Sequence, residues 1–389
     1  MHLTRRRFIG AAGLAGAALF TGHTGCSAPG PAQDDPQGLI VRQESPLNAE
    51  PPLDRLVDSW ITPTQSFYIR SHGTRPAVEP GGFRLSIEGL VDHPLSLSLD
   101  DLEKLSGTSV TATLQCAGNR RLEHSRVKPV GGVQWDAGAI GTAEWRGIRM
   151  ADLLQKAGVK NGAKHLWFEG LDSVALKDGQ TPFGGGVPLE KARRPETIVA
   201  LEMNGRPLSR EHGFPARTIV PGFIGARSVK WLHRIVVSDR PSENNFVAKD
   251  YKMFPPEATP ETVKPADYNP ILEMVLGSAI CSPGPGDRLK AGKIVVRGYA
   301  VPPGNPGGAV ARVDVSPDAG RSWVEARWIG GEGDFTWRLW EARVTVPPGV
   351  STLVARATDT GGKTQPERAL WNFKGYLNDS WHHVRITAT

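Results

Sequence analysis

Cys116 lies in the run Thr113 to Arg121, TLQCAGNRR, where a single thiol precedes two consecutive arginines. The apolar alternation of Val110 to Gln115 predicts a strand, so Cys116 falls where that strand gives way to an Ala-Gly-Asn turn. Glycine in such a turn lets backbone and ligand approach closely. Cationic neighbours stabilise a thiolate, and soft sulfur is what a redox-active transition metal selects. Arg120 and Arg121 offer planar, permanently charged donors for an oxyanion or a phosphate. The same residues also suit a buried structural cysteine beside two surface arginines, because free cysteine is among the most buried residue types.

Four further clusters carry reactive or ligand-binding side chains. Tyr68-Ile69-Arg70-Ser71-His72 places a guanidinium and an imidazole two residues apart. Gly131 to Gly147, GGVQWDAGAIGTAEWRG, contains Trp135. His212 to Leu232, HGFPARTIVPGFIGARSVKWL, groups His212, Arg217, Ser228 and Lys230, the donors that a phosphate-bearing heterocycle needs. The last cluster is split between Phe183 in TPFGGGVPL and Lys374 in WNFKG. Singly, each has a plainer reading: a solvated loop, a core tryptophan, a charged face in water.

In order and spacing these clusters resemble the sulfite oxidase family of molybdopterin enzymes, and the resemblance runs along the whole chain. It implies that Cys116 is the thiolate ligand to molybdenum. It further implies that Arg70 faces the substrate, that His72 contacts the pterin, and that Trp135, 19 residues after Cys116, walls the substrate pocket. His212, Arg217, Ser228 and Lys230 would bind the pterin and its phosphate. Two positions depart from the pattern. Phe183 stands where family sulfite oxidases carry a tyrosine, so a phenol that would reach the substrate is missing there. Lys374 stands where they carry an arginine, which keeps positive charge and gives up bidentate recognition.

At 389 residues the chain is long for one core and comfortable for two domains. Its 45 glycines and 32 prolines favour short strands and turns over long helices. The net charge of +6 owes half its size to Arg5, Arg6 and Arg7, since no acidic residue precedes Asp34. The remainder holds 43 basic against 40 acidic residues, too small an excess to imply a nucleic-acid partner, and none is expected. Thr4 to Ile9 matches a twin-arginine export signal followed by a short apolar run, so residues 1–30 read as a targeting segment of a periplasmic protein, cleaved near Ala28. Cys26 is an alternative lipidation site, although the usual leucine three residues before it is absent. Only Cys116 and Cys281 would then remain. Export permits a disulfide between them, but metal ligation by Cys116 predicts that none forms. No C-x-x-C-H sequence and no paired C-x-x-C spacing occur, so no haem or iron–sulfur cluster is expected in this chain.

Strands are predicted at Phe83 to Leu90, Lys164 to Glu169, Thr197 to Asn204 and Ser228 to Val237, with short helices at Asp100 to Leu105 and Met150 to Ala157. This is the irregular mixture of an α+β domain, 31–255, which the resemblance makes molybdopterin-binding. Residues 256–270 are a Pro-rich linker or extended arm. Beyond it, 271–389, the pattern is all strand, with turn signals spaced as in an immunoglobulin-like sandwich: Lys293 to Ala300, Val310 to Ser316, Ser322 to Ile329, Arg338 to Val346 and Thr352 to Thr358. In the family this module dimerises, so a homodimer is expected.

The expected activity is oxidation of a small anion, sulfite above all. Arg70, Arg121 and Lys374 would draw the anion to the molybdenum site, and electrons would leave singly to an external acceptor such as cytochrome c. Three alternatives stay open: the same cofactor acting on another sulfur anion, the same cofactor reducing nitrate or a sulfoxide, and a non-catalytic exported anion receptor. Retention of Cys116 speaks against the last, because anion binding needs no thiol.

Overall fold

The computed structural model describes residues 38–305 and 307–389. The export segment, the twin arginines and Cys26 lie outside them. Two five-stranded sheets and a few short helices make the first domain. One sheet runs Arg206–Pro207, Ile198–Met203, Ile140–Arg149, Thr108–Gln115, with Arg217–Ile219 also paired to Ile198–Met203. The other runs Leu95–Leu97, Leu85–Gly89, Leu232–Ser238, His165–Leu176, Gly179–Pro188. All pairings are antiparallel except that of Leu232–Ser238 with Leu85–Gly89. Period-two alternation buries one face of each strand, as in Leu85 and Ile87, which are wholly buried.

The helices obey local rules. Ser98 caps Leu99–Leu105 by accepting from the Asp101 amide, while the Asp101 carboxylate accepts from the Ser98 amide. This reciprocal box satisfies two donors that the first turn would otherwise leave free. Met150–Ala157 buries Met150, Leu153, Leu154 and Ala157 at helical spacing and stops at Gly158, which takes a left-handed φ of 67°.

The second domain is a two-sheet sandwich. Gly277–Ser282, Gly292–Val301, Arg338–Val346 and Arg327–Gly330 form one layer; Arg288–Leu289, His382–Ala388, Gly349–Asp359, Val310–Ser316 and Val324–Glu325 form the other. Val296, Val313, Val315, Leu353, Ala355 and Val384 fill the space between. The predicted strand Ser322 to Ile329 is two strands, Val324–Glu325 in one sheet and Arg327–Gly330 in the other. The chain changes layer at Ala326, whose amide bonds to Val313 O.

The two domains share one apolar core rather than meeting through a hinge. Tyr299, Trp337 and Cys281 of the sandwich pack in the same buried cluster as Cys116, Trp135 and Phe67. Trp60 and Trp337 each donate their indole N–H to the other's carbonyl. The Pro-rich stretch 256–270 is an arm laid on this body: Lys252 bridges to Pro270, and Phe254 stacks on Phe373, 4.9 Å between ring centroids.

Candidate active site

Strand Thr108–Gln115 ends at Cys116, and the turn that follows is fastened on both sides. Cys116 N donates to Ala139 O at 2.9 Å, and Cys116 O accepts from Asn119 N at 2.9 Å. Asn119 Oδ1 accepts from Ala139 N, while its Nδ2 donates to the Tyr299 hydroxyl at 3.1 Å. Arg120 takes a left-handed φ of 65°. That twist sends the two arginines in opposite directions.

Arg120 points away from the cavity. Its guanidinium forms two bonds to the Glu123 carboxylate and others to Ser380 O and Trp381 O of the sandwich. It is therefore a domain fastener, not an oxyanion donor. Arg121 is buried one layer behind the cavity wall, donating to Lys374 O and Val133 O and lying over the Tyr376 ring at 5.2 Å. Gly118 makes room for it, since a Cβ there would stand 2.4 Å from Arg121 Nη2.

Cys116 opens into a cleft with about 610 Å³ of atom-free space, open solvent at its mouth included. Arg70, His72, Phe183, His212, Arg217, Ser228 and Lys230 all line it. Thus residues from five separated segments converge. Arg70 and His72 also line a wider outer basin, of about 1010 Å³, that leads to the surface past Val41 and Gln134. Asn48, wholly buried, holds the Arg70 segment by accepting from Arg70 Nη1 and Ser71 N at 3.0 Å each.

The cleft carries three cations, Arg70, Arg217 and Lys230, against two carboxylates, Asp172 and Glu211. Burial, with help from Arg70, Lys230 and Arg121, pushes the His72 imidazolium well below its usual range, so His72 is neutral. Burial also lowers His212 to about 3 and Arg217 to about 10. Lys230 is lowered to about 7, by burial first and then by Arg217, although Glu211 and Asp172 oppose the shift. Its ammonium donates to Ser71 Oγ and Glu211 O, both at 2.9 Å.

Two polar atoms of this wall lack partners among the described residues: Arg217 Nε and Asp172 Oδ1. Burial raises Asp172 to about 6. An unpaired buried donor and an unpaired buried acceptor facing one cleft are what a large polar heterocycle would satisfy. The donor set matches a pterin with a phosphate, and Cys116 supplies a metal-ligating sulfur at the same cleft.

Four expectations need correction. Trp135 is wholly buried and does not line the cleft; Leu122 N bonds to its carbonyl, and it serves the core beneath the Cys116 turn. Lys374 does not line it either, because Asp250 pairs with its ammonium. The phenol missing at position 183 is supplied elsewhere: Tyr251 lines the cleft and its hydroxyl meets His72 Nε2 at 2.8 Å. Phe183 instead stacks on His72, with centroids 4.4 Å apart, and so fixes the imidazole plane. The predicted strand at Ser228 starts only at Leu232, since Ser228 to Trp231 form the turn around the cleft and Trp231 has a φ of 52°. Tyr251 and Asp172 were missed because neither lies in a cluster of like chemistry. The signal for Tyr251 was its place just before the Pro-rich arm.

Cys116 O binds back to its own turn, and its sulfur is not in a disulfide; Cys281, buried in the shared core, is also free. A cation-lined cleft with one exposed-to-cleft cysteine, on an α+β domain joined to a β sandwich, defines a cofactor-dependent oxidoreductase of the molybdopterin class. Residues 72–246 match the oxidoreductase molybdopterin binding domain, and residues 268–389 match the Mo-co oxidoreductase dimerisation domain. The chain is 42% identical over 372 residues to mitochondrial sulfite oxidase of Homo sapiens, covering 92% of this chain and 67% of that one. It is 40% identical over 380 residues to sulfite oxidase of Arabidopsis thaliana, covering 91% and 96%. Among solved structures it resembles the sulfane dehydrogenase SoxCD of Paracoccus pantotrophus, with a TM-score of 0.76 and 28% identity over 95% of this chain and 92% of that one. The chain belongs to the sulfite oxidase family and is a molybdopterin-dependent oxidoreductase.

Proposed function

We propose that this protein oxidises sulfite to sulfate at the Cys116 cleft. The observation that carries the reading is that Cys116 shares one buried cleft with Arg70, His72 and the His212, Arg217, Ser228, Lys230 group. His212, Arg217, Ser228, Lys230 and Asp172 would hold the pterin and its phosphate, and Cys116 would ligate molybdenum. When bound, the molybdenum cofactor supplies oxygen transfer and two-electron redox chemistry. The chain's own residues do the rest. Arg70, at the junction of basin and cleft, draws the anion inward and orients it. Each charge-assisted contact of this kind is worth about 1.5–3 kcal/mol. Tyr251 donates or accepts at neutral His72, and Arg121 sets positive potential behind them. Sulfite and water give sulfate, two protons and two electrons, which pass to an external acceptor of the cytochrome c type. The chain acts as a homodimer through residues 268–389. Export by the twin-arginine route places it in the periplasm, with lipid anchoring at Cys26 as the variant of that placement.

The test is sulfite-dependent reduction of ferricyanide and of cytochrome c by the holoenzyme, with sulfate measured in parallel. One sulfate per two electrons supports the reading; nitrate or sulfoxide reduction without sulfite turnover overturns it. The wide outer basin favours one second reading, a bulkier sulfur anion in place of sulfite.

The cationic wall also predicts a pH dependence for cofactor retention. Lys230, at about 7 in the folded protein against an ordinary value of 10.5, carries its charge below pH 7 and loses it above. A bound anionic phosphate favours the charged ammonium and raises that value, so its attraction to Lys230 is lost only as the pH climbs above 7. Cofactor dissociation, followed by molybdenum release, is expected to quicken between pH 7 and pH 9, and Lys230→Met is expected to remove that step.

A further inference from the structure

The segment that leaves the first domain is buttoned onto the C-terminal segment of the second by three side-chain contacts. Asp250 pairs with Lys374, Tyr251 stacks on Tyr376 with centroids 5.1 Å apart, and Phe254 stacks on Phe373 at 4.9 Å. Both stacks are nearly parallel, at 13° between planes. Arg121 adds a fourth tie, through Lys374 O. The ammonium of Lys374 is thus aimed at Asp250, beside the cleft residue Tyr251, while it stays out of the cleft wall. The pair is only partly buried, with side-chain exposures of 31% for Lys374 and 23% for Asp250. A lysine stem is flexible enough to swing from a carboxylate to a nearby anion.

We propose that Asp250 is a specificity-determining residue: it sequesters Lys374 and thereby lowers the affinity of the cleft for small dianions. The proposal rests on the reading of the cleft as an anion-oxidising site. Asp250 acts by occupying the cation. With it in place, the anion meets Arg70 with Arg121 behind it; with it gone, Lys374 becomes a further cation at the entrance.

The experiment compares wild type, Asp250→Asn, Lys374→Met and the double variant, each as holoenzyme. Readouts are KM and kcat for sulfite, and the dissociation constant for sulfate by calorimetry. Asp250→Asn is expected to lower KM and tighten sulfate binding by about tenfold, the worth of one charge-assisted contact, with kcat within about twofold. Lys374→Met alone should leave both constants within about twofold, and in the double variant it should erase the gain. Weaker or unchanged sulfate binding in Asp250→Asn overturns the proposal. So does a large loss of affinity in Lys374→Met alone, which would mean that the lysine already holds the anion. If no protein turns over sulfite, the functional reading falls, and the sulfate constants still judge the role of Asp250.

Discussion

Cys116→Ser is expected to cut turnover at least about 100-fold and to release molybdenum on gel filtration. Removing even an outer-shell partner of a metal ligand typically costs 10–100-fold, and here the ligand itself is lost. Serine keeps the size and the turn, so folding should survive: Cys116 N and O bond to Ala139 and Asn119 through the backbone alone. Cys281→Ser separates this from a general thiol effect. Cys281 lies in the core shared by the two domains, where burial pushes its thiol far up from the usual range, and its loss should leave molybdenum content unchanged. A Cys116→Ser protein with full molybdenum-dependent turnover would dismiss the ligand assignment.

The second large effect is on stability. Arg120 is 2% exposed and carries at least four bonds, two to Glu123 and two to sandwich carbonyls. Burial would raise the Glu123 carboxyl, but Arg120 outweighs it and holds the group below its ordinary value. Arg120→Met strands a largely buried carboxylate and takes one donor from each of Ser380 O and Trp381 O. Breaking such a pair from one side costs about 3–5 kcal/mol, and the partial exposure of Glu123 argues for the lower end. The unfolding free energy from chemical denaturation should therefore fall by that amount, with the midpoint moving to lower denaturant. Adding Glu123→Gln to Arg120→Met should recover part of the loss, because the stranded charge is then removed. A denaturation curve unchanged by Arg120→Met would refute the fastening role.

Arg120 also shows where sequence reasoning reached its limit. Two adjacent arginines after a cysteine look equivalent in a string of letters, and both read as oxyanion donors. A single left-handed residue separates them by direction, and nothing in the composition of the run announces that φ. The convergence of His72, His212, Arg217, Ser228 and Lys230 was more legible, since all five line the cleft. Their segments are short turns whose chemistry is polar and whose surroundings are not, so the contrast stands out in the sequence. Trp135 and Lys374 were misplaced for the opposite reason. Their chemistry suited a pocket wall, yet the core took one and Asp250 took the other.

Among the elements, strands with plain alternation such as Leu85–Gly89 and Val310–Ser316 were read at nearly their observed bounds. Gly179–Pro188 escaped notice because four glycines and two prolines read as a loop. The fold explains them by crowding: a Cβ at Gly184 would stand 2.5 Å from the Asn244 amide, which bonds to Pro182 O. Tertiary contacts, not local propensity, make that segment a strand.

The most direct test of the account is the molybdenum content of the purified protein, measured together with the change in its molybdenum spectroscopic signal when sulfite is added. Stoichiometric molybdenum that sulfite reduces is the predicted result. Folded protein that carries no molybdenum after expression in a host able to make the cofactor would contradict it.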